Sequence, residues 1–265
     1  MYKLTRHSIG FFTALLSISP AVSSDYSMSV GFSHYDYGLK ITTSEVSDFS
    51  FDGRQYEVSL QRATEDYTLS VKHTFSQPVD IAPAEEHLAS PYGEALYMSQ
   101  EETSISIQRP ISERLNWFAG YYEAQLDGKG HNDGTDGTYY NISHSWLKSS
   151  GAFIGLAAQR PLNDKLVLFG RGAFQIVSAD VALANDQQIN PNVSYQTAIR
   201  SSAYGIEGSA SLFGFGIAYP LKTGSAIILS YERKDFDFED FNLNTTRSSV
   251  DAEWETIGLS ISFGL

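Results

Sequence analysis

The chain contains no cysteine among its 265 residues, so its fold is held without disulfides. Positive charge is scarce: 18 Lys and Arg stand against 31 Asp and Glu, a net charge of −13. Nucleic acid, itself a polyanion, is therefore not an expected partner. Long apolar runs are missing beyond the N-terminal segment, and none nears the roughly 18 residues that a membrane-spanning helix needs. A helical membrane protein is excluded. From Tyr26 onward the 3.6-residue periodicity of amphipathic helices is almost absent too. No G-x-S-x-G, P-loop or zinc-ligand motif occurs.

What is present begins with the N-terminus. Lys3, Arg6 and His7 precede the apolar run IGFFTALLSI, which is followed by Pro20 and the small-residue site Ala21-Val22-Ser23. Basic, apolar and small-residue parts in that order predict a secretory signal peptide over residues 1–23. Cleavage after Ser23 removes Lys3 and Arg6, leaving 16 basic against 31 acidic residues, a net −15 over residues 24–265.

The remainder is rich in Tyr and Phe, 16 of each, and in period-two alternation, which predicts strands. Ten are discernible, from YSMSVGFSHYDYG at residue 26 to ETIGLSISFGL at the C-terminus. One punctuation mark recurs about every 50 residues: QRPISER at 108, QRPLNDK at 159 and AYPLKTG at 218. Pro lacks an N–H and suits the point where a hydrogen-bonded ladder stops.

The connections alternate in length. Short links fall at 63–66, 110–114, 161–165 and 220–224; long polar stretches fall near 39–50, 77–95, 128–148, 180–201 and 237–249. An up-and-down antiparallel sheet places every second connection at the same end, so the short turns share one end and the long loops the other. Both termini then lie at the short-turn end. A solenoid or propeller also repeats, but neither explains this alternation.

Three strands end alike. Tyr56, Val58 and Leu60 share a face that finishes in Arg62; Ile105 and Ile107 finish in Arg109; Ile154, Leu156 and Ala158 finish in Arg160. In a soluble sandwich the apolar face packs inward and a terminal Arg is awkward there. On a membrane barrel that face meets lipid, and Arg at its edge snorkels to the headgroups. Arg62, Arg109, Arg160 and Tyr219 are the expected interface anchors. The opposite face carries Glu57, Lys72, Glu102, Glu123, Arg171 and Glu232, which suits a wet or hydrogen-bonded barrel interior and not a dry core.

The same reading sends Phe118, Tyr122 and Leu126 to lipid, with Trp117, Tyr121, Glu123 and Gln125 inward. Leu168, Phe174 and Ile176 also face lipid, against inward Phe169, Arg171 and Gln175. In EGSASLFGFGIAY it puts Phe213, Phe215, Ile217 and Tyr219 outside but Ser209 and Ser211 beside them, which either a β-bulge near Leu212 or a wrong face explains.

In this architecture the chain resembles the Gram-negative outer-membrane β-barrel proteins over its whole length after the signal. Its end resembles their polar–x–Gly–x–x–apolar–x–aromatic assembly signal in Thr256, Gly258, Ile261 and Phe263. Gly264 and Leu265 follow, whereas the aromatic residue usually comes last. The resemblance implies an all-β, up-and-down antiparallel transmembrane barrel of ten strands, with eight or twelve as alternatives. It further implies a place in the outer membrane, contact with outer-membrane lipid and lipopolysaccharide, and passage through the barrel-assembly machinery.

Catalytic families on such barrels set tests of their own. The lipid hydrolases use His-x-Ser on one strand face; here His144 and Ser145 are adjacent and a strand would point them apart. The omptin proteases, also ten-stranded, face an Asp pair with an Asp-His pair at the outer rim. This chain offers His131 and Asp133, and Asp235, Asp237 and Asp240, without that family's local motifs. Asp127, Asp133 and Asp136 in DGKGHNDGTDG suggest calcium but lack EF-hand spacing. His34, His73 and His87 are expected to be structural or solvated, and no metal or cofactor is expected. Two functions remain: a non-enzymatic surface barrel whose external loops make contacts or support the membrane, and a narrow cation-preferring pore. An omptin-like rim protease comes third.

Overall fold

The computed structural model describes residues 26–42, 46–81, 94–133, 139–163, 165–189, 200–221, 225–239, 241–243 and 246–265; side chains are described outside 39–51, 79–98, 128–146, 181–204, 240–248 and 250. The expected signal segment lies outside the described residues.

The described chain is all strand and turn. The strands are β1 (Tyr26–Thr42), β2 (Val46–Ala63), β3 (Thr68–Ser76), β4 (Val79–Ile81), β5 (Glu94–Pro110), β6 (Leu115–Asp133), β7 (Tyr139–Asn163), β8 (Leu166–Ile189), β9 (Arg200–Pro220), β10 (Ala226–Phe238), β11 (Phe241–Leu243) and β12 (Thr246–Gly264). Two of these are continuations: β4 resumes β3 along β5 beyond Gln77-Pro78, where proline cannot donate to a ladder, and β11 resumes β10 along β12. Ten antiparallel staves result. They run in sequence order, and β12 pairs back onto β1 from Gly264 opposite Ser27 to Ser249 opposite Thr42.

The sheet is thus a closed up-and-down barrel, with each stave paired on both sides across the apolar band, which meets the demand lipid makes on backbone N–H and C=O groups. The first and last described residues meet at the short-turn end, where the Leu265 N–H donates to the Tyr26 carbonyl at 3.0 Å. Thr64 shapes the β2–β3 turn twice, its hydroxyl and its N–H both donating to the Tyr67 carbonyl.

At the other end the structure differs from the sequence reading. Much of what polarity marks as loop is strand: β7 has 25 residues and β8 has 24, and they stay paired up to Tyr139 opposite Ile189. The barrel wall therefore continues well past its apolar band, because a polar strand outside lipid still satisfies its backbone by pairing. In β9 the pairing with β10 runs without a register shift from Gly208 to Pro220, so no bulge occurs at Leu212. Ser211 sits at the band's upper margin, between Phe174 on β8 and Asp235 on β10.

The outward face is an apolar band. Ile154 is 61% exposed and Ile257 60%, with Phe32, Leu60, Ile105, Phe213 and Leu229 at similar depth on other staves. Side chains so exposed around a closed sheet have no aqueous partner, and lipid is the solvent that suits them. Above the band the outward residues turn charged, with Asp36, Asp52, Glu101, Glu123, Asp235 and Glu253 among them.

Candidate functional site

The interior is the only concave surface this barrel encloses among the described residues, and three layers fill it. Nearest the short turns, β12, β1, β2, β3 and β5 contribute small polar side chains: Ser262 and Ser260, Ser27 and Ser29, Ser59 and Gln61, Thr68 and Ser70, Ser106 and Gln108, all buried. Ser27 donates to the Gln61 side-chain carbonyl at 3.1 Å, and the Ser29 and Ser59 hydroxyls bond each other. On the facing staves the same level is mainly apolar, with Phe118, Ala157, Phe169, Ala218, Ala226 and Ile228 buried beside Asn116.

The middle layer is ionic. Lys72 Nζ lies 3.2 Å from Glu57 Oε2 on the neighbouring stave. Lys234 Nζ lies 2.6 Å from Glu102 Oε2. β10 and β5 are five staves apart in a ring of ten, so this second pair is a strut across the lumen. Arg171 pairs with Glu232 two staves away. The three carboxylates and three cations balance, and each side chain is at most 14% exposed.

Glycine makes the third pair possible. Arg171 faces Gly214, which faces Glu232. A Cβ on Gly214 would stand 3.1 Å from Arg171 Nε and 3.3 Å from its Cγ, so the guanidinium crosses β9 over a residue that has no side chain. Gly214→Val is expected to cost about 1–3 kcal/mol by overpacking, measured as a urea midpoint in micelles. Gly170→Val, outward and with no atom nearer than 3.7 Å to the added Cβ, is the control and should stay near wild type.

The outer layer is a dry cluster. Tyr35, Tyr37 and Trp254 pack together, with Tyr35 at 5.6 Å and Tyr37 at 5.7 Å from the indole by ring centroid. Tyr122, Leu126, Val177, Ile206 and Phe238 complete it. Between the layers lie voids of about 40, 40 and 20 Å³, each with room for only a few waters.

Five of the six side chains named from sequence thus meet in one interior layer, joined by Lys234. Glu123 does not. It is exposed on the outward parity of β6 with Tyr121, while Phe118 at 2%, Tyr122 at 3% and Leu126 are buried inside. The whole face of β6 is inverted relative to the sequence reading, Trp117 and Gln125 included. The reason is local: Phe118 pairs with Gly155 and Gly120 with Phe153, so each ring lies across a glycine of the adjacent stave. Aromatic residues fill the narrow lumen here, and apolar character no longer marks the lipid side.

Arg62, Arg109, Arg160 and Tyr219 are all exposed at the short-turn ends of their strands, and Arg62 lies 5.7 Å over the Tyr26 ring. Thr256, Gly258, Ile261 and Phe263 sit on the seam strand, with Ile261 and Phe263 outward and Gly258 opposite Ser33 of β1.

Among the described residues, the positions named for catalysis do not converge on one site. Asp235 and Asp237 are exposed on the outer wall rather than turned into the barrel mouth, and Arg233 holds Asp235 at 2.9 Å. His144 and Ser145 are consecutive strand residues; their side chains, and those of His131, Asp133, Asp136 and Asp240, lie outside the described set. Asp127 accepts from Gln125 Nε2 at 2.8 Å through both oxygens. His73 bonds Thr103 at 2.9 Å, and His87 lies outside the described residues. His34 is less solitary than its sequence position suggests, lying 3.7 Å from Asp36 and from Asp52 on the outer wall. The signal was available only through register, since Asp36 and Asp52 are direct cross-strand partners. All three are exposed.

No protein-family model matches the chain, and no curated protein matches it in sequence. Solved structures do. The outer-membrane protease OmpT from Escherichia coli is similar with a TM-score of 0.55 at 8% identity, over 93% of this chain and 100% of that one. The translocator domain of the autotransporter NalP from Neisseria meningitidis is similar with a TM-score of 0.52 at 8% identity, over 94% of this chain and 92% of that one. A protease and a translocator share the architecture, so the likeness carries no activity with it. With its closed ten-stave sheet, outward apolar band and filled polar interior, the chain has the fold of the Gram-negative outer-membrane β-barrels.

Proposed function

We propose that the protein is an integral outer-membrane barrel without catalytic activity, sealed at rest, which presents its outer strand ends and loops to the cell exterior for surface contacts or membrane support. The observation that carries this reading is the filled interior: the cross-lumen Lys234–Glu102 strut, its two companion pairs and the aromatic cluster above them occupy the space a porin leaves to water. Export by the N-terminal signal, insertion by the barrel-assembly machinery and residence among outer-membrane lipid and lipopolysaccharide belong to the same proposal. The exposed arginines at the short-turn edge suit the inner headgroup level, and the charged residues above the band suit the outer one.

The test is planar-bilayer recording of the refolded chain, after a heat-modifiable gel shift has established closure. A silent bilayer is the expected result. Steady steps from the unaltered chain would overturn the sealed reading in favour of a narrow cation-preferring pore.

A further inference from the structure

The two halves of the lumen are built differently, and the unpaired polar atoms fall mainly on one of them. Gln55 Oε1, Glu57 Oε1, Thr74 Oγ1, Trp254 Nε1 and Ser260 Oγ are buried without a hydrogen-bond partner, and all five residues line a single cavity of about 40 Å³. Ser70 Oγ, Gln61 Nε2 and both polar atoms of the Gln108 amide continue the series toward the short turns. These residues lie on β12, β2, β3 and β5, which with β1 between β12 and β2 form one contiguous side of the barrel. Opposite them Phe118, Phe153, Ala157, Phe169 and Ile228 make up most of the wall, and the unpaired atoms there are fewer, Arg171 Nη1 and Gln175 Oε1 among them.

A buried polar group with no partner costs about 1–3 kcal/mol, so so many on one wall require something to bond. The set mixes carboxylate, amide and hydroxyl oxygens with an indole N–H and amide N–H groups, and the nearby cations are already paired with carboxylates. That combination needs a ligand that both donates and accepts at every station. A cavity of this size with several polar partners meets the requirements for ordered water.

We propose that the polar half of the lumen is a water-filled passage entered from the short-turn end and closed at the outer end by the Tyr35–Tyr37–Trp254 group. The protein is then a one-gated pathway, able to carry water and small ions once that group is displaced. The stop is aromatic: Lys234 lies 5.9 Å over the Trp254 ring, so the indole caps the ionic layer directly. The passage is narrow, so only small solutes fit beside the Lys234–Glu102 strut.

The lack of cysteine makes the wall directly testable. Ser70→Cys and Ala157→Cys barrels, one cysteine each, are refolded and treated with a small cationic methanethiosulfonate in detergent. Ser70→Cys is expected to react at least tenfold faster than Ala157→Cys; equal rates, or a faster Ala157→Cys, overturn the hydrated half. The gate is tested by recording Trp254→Ala beside Phe153→Ala, which opens space on the apolar half. Steps from Trp254→Ala alone, removed again by adding Ser260→Leu, are the expected result. A heat-modifiable but silent Trp254→Ala, or equal conductance from Phe153→Ala, overturns the gate. Should Trp254→Ala fail to fold, Tyr37→Ala takes its place under the same criteria.

Discussion

Lys234→Met is expected to destabilise the barrel by about 3–5 kcal/mol, because it removes the cation that lies 2.6 Å from the buried Glu102 carboxylate. Desolvation dominates this expectation. Two charges taken from water recover little net energy from each other, whereas one charge left alone bears the whole penalty. The double change Lys234→Met with Glu102→Met should therefore return most of the lost stability, and the interaction energy of the cycle should exceed about 2 kcal/mol. Urea unfolding in lipid vesicles, followed by tryptophan fluorescence, reads all three variants. A single change that costs less than about 1 kcal/mol would mean that the strut is solvated and that the middle layer does not fill the lumen.

The second large effect concerns the outer wall. Ile105 is 56% exposed at the middle of the band on β5, and Arg in its place should cost about 2–4 kcal/mol, the penalty for a cation at the bilayer midplane. Glu123→Arg on the adjacent stave, one outward position beyond Tyr121, the cross-strand partner of Ile105, exchanges one charge for another and should cost no more than about 1 kcal/mol. The pair of measurements separates the two placements of Glu123. An inward Glu123 would put a new cation beside the ionic layer and shift stability strongly, and a soluble barrel would make Ile105→Arg nearly neutral.

The staves that were legible in the sequence are those with strict chemical alternation. In β2, Glu57, Ser59 and Gln61 alternate with Tyr56, Val58 and Leu60; in β3, Ser70, Lys72 and Thr74 alternate with Leu69, Val71 and Phe75. Where one face is Ser, Gln and charge and the other aliphatic, period two assigns both. β6 defeats that logic because both of its faces are aromatic, and the deciding information lies on β7, in Gly155, which receives Phe118, and in Phe153, which lies across Gly120. A different local cue was present on these two strands: Phe118 is in phase with Gly120, and Phe153 with Gly151 and Gly155, so a ring in phase with glycine marks the inward face of β6 and β7. Lys234 was readable by parity, two residues from Glu232 on one strand. Its partner was not, since Glu102 is 132 residues away and only closure of the ring brings them together. The strand extensions were missed for a simpler reason: polarity marks contact with water, not the absence of pairing.

The seam between β1 and β12 bears on how the molecule comes into being. Hairpins such as β2–β3 close over a handful of residues, whereas Ser27 meets Gly264 across nearly the whole chain. That loop is longer than the four-residue turn at 64–67 by about six doublings, which adds roughly 4 kcal/mol of closure entropy. Until the last strand is synthesised and delivered, the growing sheet carries two open edges, each a template for pairing with another copy. Docking of the final strand is therefore the expected slow, concentration-sensitive step of assembly. Loss of Thr246–Gly264 leaves an aggregation-prone ribbon rather than a slightly weakened barrel.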